Sequence, residues 1–265
     1  VVVGTAYNGN DRDIIVLKTY NYGNELWRKI IDNQYSDEGM SIHETSDGGF
    51  VVSGTSLVKL SSGGNIIWNK SFNSSGNSIV EDNEGNLIIL GTSSENTYTI
   101  QLTKTDSSGN EIWKKTFGAG KGKSIKPTND GGYILGIESN SGNNAMTMIK
   151  VNSDGDQEWS NSHASQYGQS YLSDIEQTSD GGYILGGYVT TSRDNDMFFV
   201  KTDSNGNLEW NKTIGAPLDG ENDQLWSIIE TSDQNYILLG ETNGYGYGLY
   251  DIYLIKLDNV GNEVF

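Results

Sequence analysis

Asp219, Glu221 and Asp223 alternate along one short segment, and carboxylates at every second position can converge on one side of an extended chain. A hard cation such as Ca2+ takes about six to eight oxygen ligands, so this set is read as a metal site or as a solvated acidic loop. Ca2+ is the one cofactor these residues suggest. A second group is aromatic: Tyr7, Tyr35, Tyr167, Tyr171, Trp226, Tyr245, Tyr247 and Tyr250 sit among Asp11, Asp13, Asp37 and Glu38. Aromatic faces stack on the apolar side of sugar rings, and Tyr and Trp also dominate protein interfaces. These eight are the expected ligand-binding residues, for a glycan or a protein partner. The alternative is that they pack their own long loops.

Catalytic sets do not assemble as readily, and no catalytic residue is assigned. A glycosidase needs two carboxylates roughly 5 to 10 Å apart, and no pair stands out among the many acids. Only Arg12, Arg28 and Arg193 are present, and Arg28 follows Trp27 in an outer strand, so an arginine triad cannot form. His43 reads as an inner-strand residue and His163 as a loop residue, neither beside a nucleophile motif. A glycoside hydrolase-like or metal-dependent hydrolase stays as the enzymatic alternative. Asn69, Asn73 and Asn211 open Asn-x-Ser/Thr sequons, which are glycan acceptors or chance occurrences in an Asn- and Thr-rich chain.

The elements that position these residues come from an internal repeat. Trp27, Trp68, Trp113, Trp159 and Trp210 each lie four residues after a turn glycine, and Phe265 takes the sixth place. A lysine recurs at 18, 59, 104, 150, 201 and 256, and a glycine at 4, 54, 91, 136, 186 and 240. A complete copy reads as four antiparallel strands: a (Ser-Ile-x-x-Thr), b (Tyr-Ile-Leu-x-Gly), c (a continuous apolar run ending at the lysine) and d (alternating, with the tryptophan). Ser-Asp-Gly-Gly joins a to b, and Asp-x-x-Gly-Asn joins c to d; their glycines supply positive φ. No copy is large enough to bury a core alone.

This predicts an all-β, six-bladed β-propeller of four-stranded antiparallel blades as one domain over 1–265. Its blades fall near 1–40, 41–77, 78–123, 124–172, 173–226 and 227–265. Val1 already lies in strand b, so the first blade lacks its inner strand and 23 strands are expected. Strand donation or oligomerisation would fill that edge. The chain enters mid-motif without an initiator methionine and is expected to be a piece of something longer. Turns a–b and c–d share one end and are nearly uniform. Connections b–c and d–a share the other end and vary, and variable loops on a rigid scaffold are where binding residues sit.

Bulk properties narrow the partners. A net charge of −18 repels phosphate backbones, which excludes nucleic acid. No apolar run reaches the roughly 18 residues needed to span a bilayer. Cysteine is absent, so disulfide and thiol chemistry are excluded.

The motif DGGYILxG, then Val-Lys-x-Asp, then Gly-Asn-x-x-Trp-x-Lys-Thr resembles the propeller repeat of large secreted and cell-surface proteins of bacteria and archaea. More distantly it is similar to tryptophan-docking propellers of the pyrroloquinoline quinone type, whose quinone and calcium ligands have no counterparts at matching positions. The resemblance implies an extracellular or surface-attached location. The expected function is a non-catalytic binding or adhesion module; a structural spacer or surface-layer component is the remaining alternative.

Overall fold

The computed structural model describes residues 1–33, 36–72, 74–93, 98–139, 145–215, 220–244 and 249–265. Among these it contains strands and turns and no helix, so none is long and apolar enough to cross a membrane. The chain forms two compact units, 1–118 and 119–265.

The first unit opens with a three-stranded sheet of β1 (Val2–Tyr7), β2 (Arg12–Thr19) and β3 (Glu25–Ile31). Next comes a four-stranded sheet of β4 (Gly39–Glu44), β5 (Phe50–Gly54), β6 (Ser56–Leu60) and β7 (Ile66–Ser71). Then follow β8 (Ser75–Glu81), β9 (Leu87–Ser93), β10 (Thr99–Thr105) and the start of β11 (Glu111–Pro127). In the second unit, the end of β11 pairs with β12 (Tyr133–Ser139), followed by β13 (Met146–Val151) and β14 (Gln157–His163). A four-stranded sheet of β15 (Gln169–Gln177), β16 (Tyr183–Thr190), β17 (Asn195–Thr202) and β18 (Leu208–Ile214) comes next. The last sheet holds β19 (Asp223–Glu230), β20 (Tyr236–Thr242) and β21 (Asp251–Leu257).

Two expected strands do not appear separately, and 21 are found among the described residues. The outer strand of the third copy and the inner strand of the fourth run together as β11, which puts both copies in one seven-stranded sheet. The sixth copy's outer strand is reduced to a Leu257–Glu263 bridge, with Val264 N donating to the Lys256 carbonyl at 2.7 Å. Five sheets therefore stand where six separate blades were expected.

Every inner strand carries a β-bulge at the same place: Gly39/Ser41, Gly76/Ser78, Gly122/Ser124, Leu172/Asp174 and Leu225/Ser227. The bulge pushes a backbone carbonyl towards strand b, and glycine makes room for it. A Cβ on Gly54, Gly91, Gly187 or Gly240 would overlap the carbonyl oxygen of Glu38, Ser75, Tyr171 or Gln224. In the fifth copy the residue at this register is therefore Gly187, not the expected Gly186, and in the fourth it is Ile137.

The tryptophans are half-buried rather than enclosed. Each of four packs beneath the c–d turn of the following copy, where a Cβ on the turn glycine would lie 2.8 to 3.0 Å from the indole. The pairs are Trp27–Gly64, Trp68–Gly109, Trp159–Gly206 and Trp210–Gly261. Trp27 and Trp68 also donate Nε1–H to the carbonyls of Ser62 and Ser107, at 3.2 and 3.3 Å. Between sheets lie apolar clusters, such as Ile184, Met197 and Phe199 against Leu225, Ile228, Leu238 and Ile255. Each such buried side chain contributes about 1.5 to 3 kcal/mol.

The repeated lysine ties strand c to the a–b turn. Lys59, Lys104, Lys150, Lys201 and Lys256 pair with Asp47, Asp82, Asp130, Asp180 and Asp233, each at 2.8 or 2.9 Å. Hydrogen bonds from Lys59, Thr45 and Gly49 hold Asp47 down at about 2. At Asp130 burial pushes the other way, but bonds from Thr128, Lys150 and Gly132 outweigh it and leave the group at about 2. An unfolded chain takes up these protons near 3.8, so its protonation is favoured over that of the folded chain. The stabilisation is full above that value and is lost as pH falls through about 2. The melting temperature should drop between pH about 4 and 2, less steeply in Asp47→Asn/Asp130→Asn. A flat profile, or an unchanged slope in the variant, would contradict the assignment.

Candidate functional site

The end of each copy that is nearly uniform within the chain is closed by its own hydrogen bonds. Asp106, Asp203 and Asp258 each accept backbone N–H bonds from residues two and four further on and a side-chain bond from the following asparagine. Their carboxyls lie below the usual range for that reason. These turns are scaffold, and what varies is at the other end.

There the predicted aromatic residues divide. Tyr35, Tyr245 and Tyr247 lie outside the described residues, as do Asp219 and Asn73. Tyr7 is exposed, with its hydroxyl donating to the Gly9 carbonyl at 3.1 Å. Tyr167 is exposed, whereas Tyr171 stacks on Tyr188 with ring centroids 4.9 Å apart. Tyr188 was not among the predicted residues. Trp226 and Tyr250 come together, lining a groove of about 380 Å³ with Leu239, Glu241, Asp251 and Ile252. Trp226 is the extra residue of the β19 bulge, and a bulge re-aims a side chain.

The groove continues an apolar sheet face that the sequence reading missed. By register, Ile252 and Leu254 of β21 correspond to Met197 and Phe199 of β17. Met197 and Phe199 are fully buried, while Ile252 is 84% exposed, Leu254 51% and Leu239 44%. All lie in strands that read as ordinary core, and nothing in their own sequence distinguishes covered from uncovered.

Two of the three acids, Glu221 and Asp223, are among the described residues. Asp223 is fully buried in β19, and Glu221 has a buried Oε2 that accepts no hydrogen bond. Burial raises Asp196, and the neighbouring Asp194 and Asp223 add to it. Among the described residues no three carboxylates or histidines are placed to hold a metal ion.

In the first unit a polar groove of about 460 Å³ is lined by Asn33, Ser36, Asp37, Thr55, Ser56, Asn69, Ser71 and Phe72. Buried Asp37 organises it, accepting from Asn33 N at 2.9 Å and from Thr55 Oγ1 at 3.0 Å. Asn69, the first sequon, is exposed and donates Nδ2–H to Asn33 Oδ1 at 2.6 Å; Asn211, the third, is also exposed.

Burial lowers His43 in β4, with Glu81 and Glu44 opposing. His163 ends β14 rather than lying in a loop, and its Nε2 is 3.1 Å from the Gly206 carbonyl oxygen. Burial lowers it as well, with that bond opposing.

Comparison with known proteins agrees with this architecture. No curated protein matches the chain. Among solved structures, it resembles a protein of unknown function from Bacteroides caccae, at TM-score 0.63 and 12% identity over 99% of this chain and 92% of that one. It is also similar to the Dos1 propeller, at TM-score 0.62 and 14% identity, over 95% of this chain and 62% of that one. BamB from Moraxella catarrhalis aligns with TM-score 0.50 and 11% identity, covering 98% and 83%. These likenesses establish an all-β propeller fold. The family profile described as outer membrane protein assembly factor BamB matches residues 12–217, and the chain belongs to that family of β-propellers.

Proposed function

We propose that this chain is a non-catalytic, protein-binding propeller module of the cell envelope or exterior, one domain of six blades. The observation that carries the reading is the exposed apolar face of β19–β21: Trp226, Leu239, Tyr250, Ile252 and Leu254, with Glu241 and Asp251 at the groove. Contiguous exposed apolar surface marks an interaction site. A sugar would ask for amides and hydroxyls around a single aromatic platform, and this face offers few of either. The buried state of the equivalent Met197 and Phe199 shows that such positions suit sheet-on-sheet packing, so the partner presents a flat apolar surface. The family and its neighbour BamB, an outer membrane protein assembly factor by description, support a protein partner.

A glycan is the second reading, carried by the amide- and hydroxyl-lined groove around Asp37 with Phe72 at its edge. One experiment separates the two. Immobilised wild-type chain and Ile252→Asp/Leu254→Asp are offered an envelope extract and, separately, a glycan array. A protein retained by wild type and lost from the variant is the expected result. Glycan binding that survives this variant and disappears in Phe72→Ala would move the function to the polar groove.

A further inference from the structure

One interface inside the first unit, between the second and third copies, is packed differently from two in the second unit. Alternate residues of β10, namely Gln101, Thr103 and Thr105, share one face and meet Leu57, Lys70 and Phe72 of the preceding copy. Counted from the repeat lysine, Gln101 and Thr103 stand where the fifth copy has Phe198 and Val200 and the sixth has Tyr253 and Ile255. Those residues fill their interfaces, packing in apolar clusters with Trp159 and Trp210 of the copy before. In the third copy an amide and a hydroxyl replace the ring and the branched side chain, and a cavity of about 130 Å³ is left.

The cavity's polar lining is incompletely used. Thr105 Oγ1 donates to the Asp106 carbonyl at 3.0 Å. Thr103, by contrast, is 1% exposed, and its Oγ1 has no hydrogen-bond partner among the described residues. A buried hydroxyl in that state costs stability unless another molecule meets it. Lys70 and Lys114 also line the cavity, with Glu111 as the single carboxylate, so the lining carries a positive surplus in a chain of net charge −18. Lys114 pairs with Glu111 at 3.2 Å, and Lys70 donates to Asn110 Oδ1 at 2.7 Å while lying over the Trp68 ring. An ammonium carries three donors, more than either of these contacts uses.

We infer that this cavity is a binding site for a small aromatic carboxylate. The ring takes the space that the Phe198 side chain fills in the fifth copy, against Leu57 and Phe72. The carboxylate accepts from Thr103 Oγ1–H and from the ammoniums of Lys70 and Lys114, and such charge-assisted bonds are the strong ones. An apolar cavity of about 150 Å³ holds one benzene ring, so the volume here admits a single ring and little more. An amine meets the repulsion of two lysines, and an uncharged ring leaves their donors unused. The site does not depend on what binds the apolar face of β19–β21.

The probe is benzoate, titrated into the isotope-labelled full chain and followed by amide NMR shifts, with benzylamine and benzyl alcohol as cationic and neutral matches. Benzoate should shift the amides of β10 and of Lys70 and saturate at millimolar concentrations, as suits so small a ligand. The two matches should not. Thr103→Val removes the hydroxyl at nearly constant shape. It should weaken benzoate binding by about tenfold or more and raise the melting temperature of the free protein, because no partner of the hydroxyl is lost. Gln101→Phe restores the filling of the fifth copy and should abolish the shifts; should that variant misfold, Thr103→Val decides. Absence of saturable shifts, equal shifts with all three probes, or benzoate binding that survives both variants overturns the proposal. So does a lowered melting temperature in Thr103→Val, since the hydroxyl would then serve the fold.

Discussion

Gly54→Val is expected to unfold the first unit or to cost it about 4 kcal/mol or more, a loss reserved for core disruption. A side chain at this position would overlap the Glu38 carbonyl oxygen and crowd its carbon and the Gly39 Cα. All of these are backbone atoms, so no rotamer change relieves the overlap. Relief requires moving β4 away from β5, which breaks their pairing and opens the cluster of Phe50, Val52, Val58 and Leu60 against Ile14 and Val16. Gly4→Val is the matched control in the same unit and at the same register, and it should stay within about 0.5 kcal/mol of wild type. Thermal unfolding followed by circular dichroism measures both. Equal losses at the two positions would refute the account of the bulge carbonyl.

The repeat was legible because its punctuation is chemical. Turn glycines at positive φ, such as Gly64, Gly109 and Gly206, each precede the tryptophan of their own copy by four residues, an offset that a single chain displays several times. Paired Lys and Asp were legible as scaffold without their partnership being visible, since one lies in strand c and the other in a turn about twenty residues earlier in most copies. The bulges were not legible. A serine closes four of the five (Ser41, Ser78, Ser124 and Ser227), but a lone serine does not announce a bulge, and the other trace is the strand-b glycine, which in the fourth and fifth copies is easily assigned one position early. The fusion of two strands into β11 was hidden for the opposite reason: Gly118, Gly120 and Gly122 suggest a loop, yet all three lie within one strand, with Gly118 at a φ of 87°. The exposed apolar face was half legible. Trp226 and Tyr250 stood out as loop aromatics, but Leu239, Ile252 and Leu254 have the pattern of core strands, and their exposure depends on what neighbours them.

Trp210→Ala carries the second large effect, a loss of roughly 3 kcal/mol, the lower end of the range for truncating a large aromatic because the indole is only half-buried. The ring meets Phe199 edge-on at 6.2 Å and Tyr236 at 6.1 Å, and its face lies under Gly261. It thus joins the fifth copy to the sixth through two contacts, Tyr236 and Gly261, while Phe199 holds it within its own copy. The contact with Gly261 can be isolated. Gly261 has φ of 81°, so alanine there costs about 1 to 2 kcal/mol from backbone strain whatever surrounds it. In the wild-type background a second cost is added, because the new methyl would lie 2.9 Å from the indole. Removing the indole removes that second cost and leaves the first. Gly261→Ala should therefore be less destabilising in Trp210→Ala than in wild type, by about 1 kcal/mol in a double-mutant cycle. Strict additivity would mean that the turn does not rest on the tryptophan.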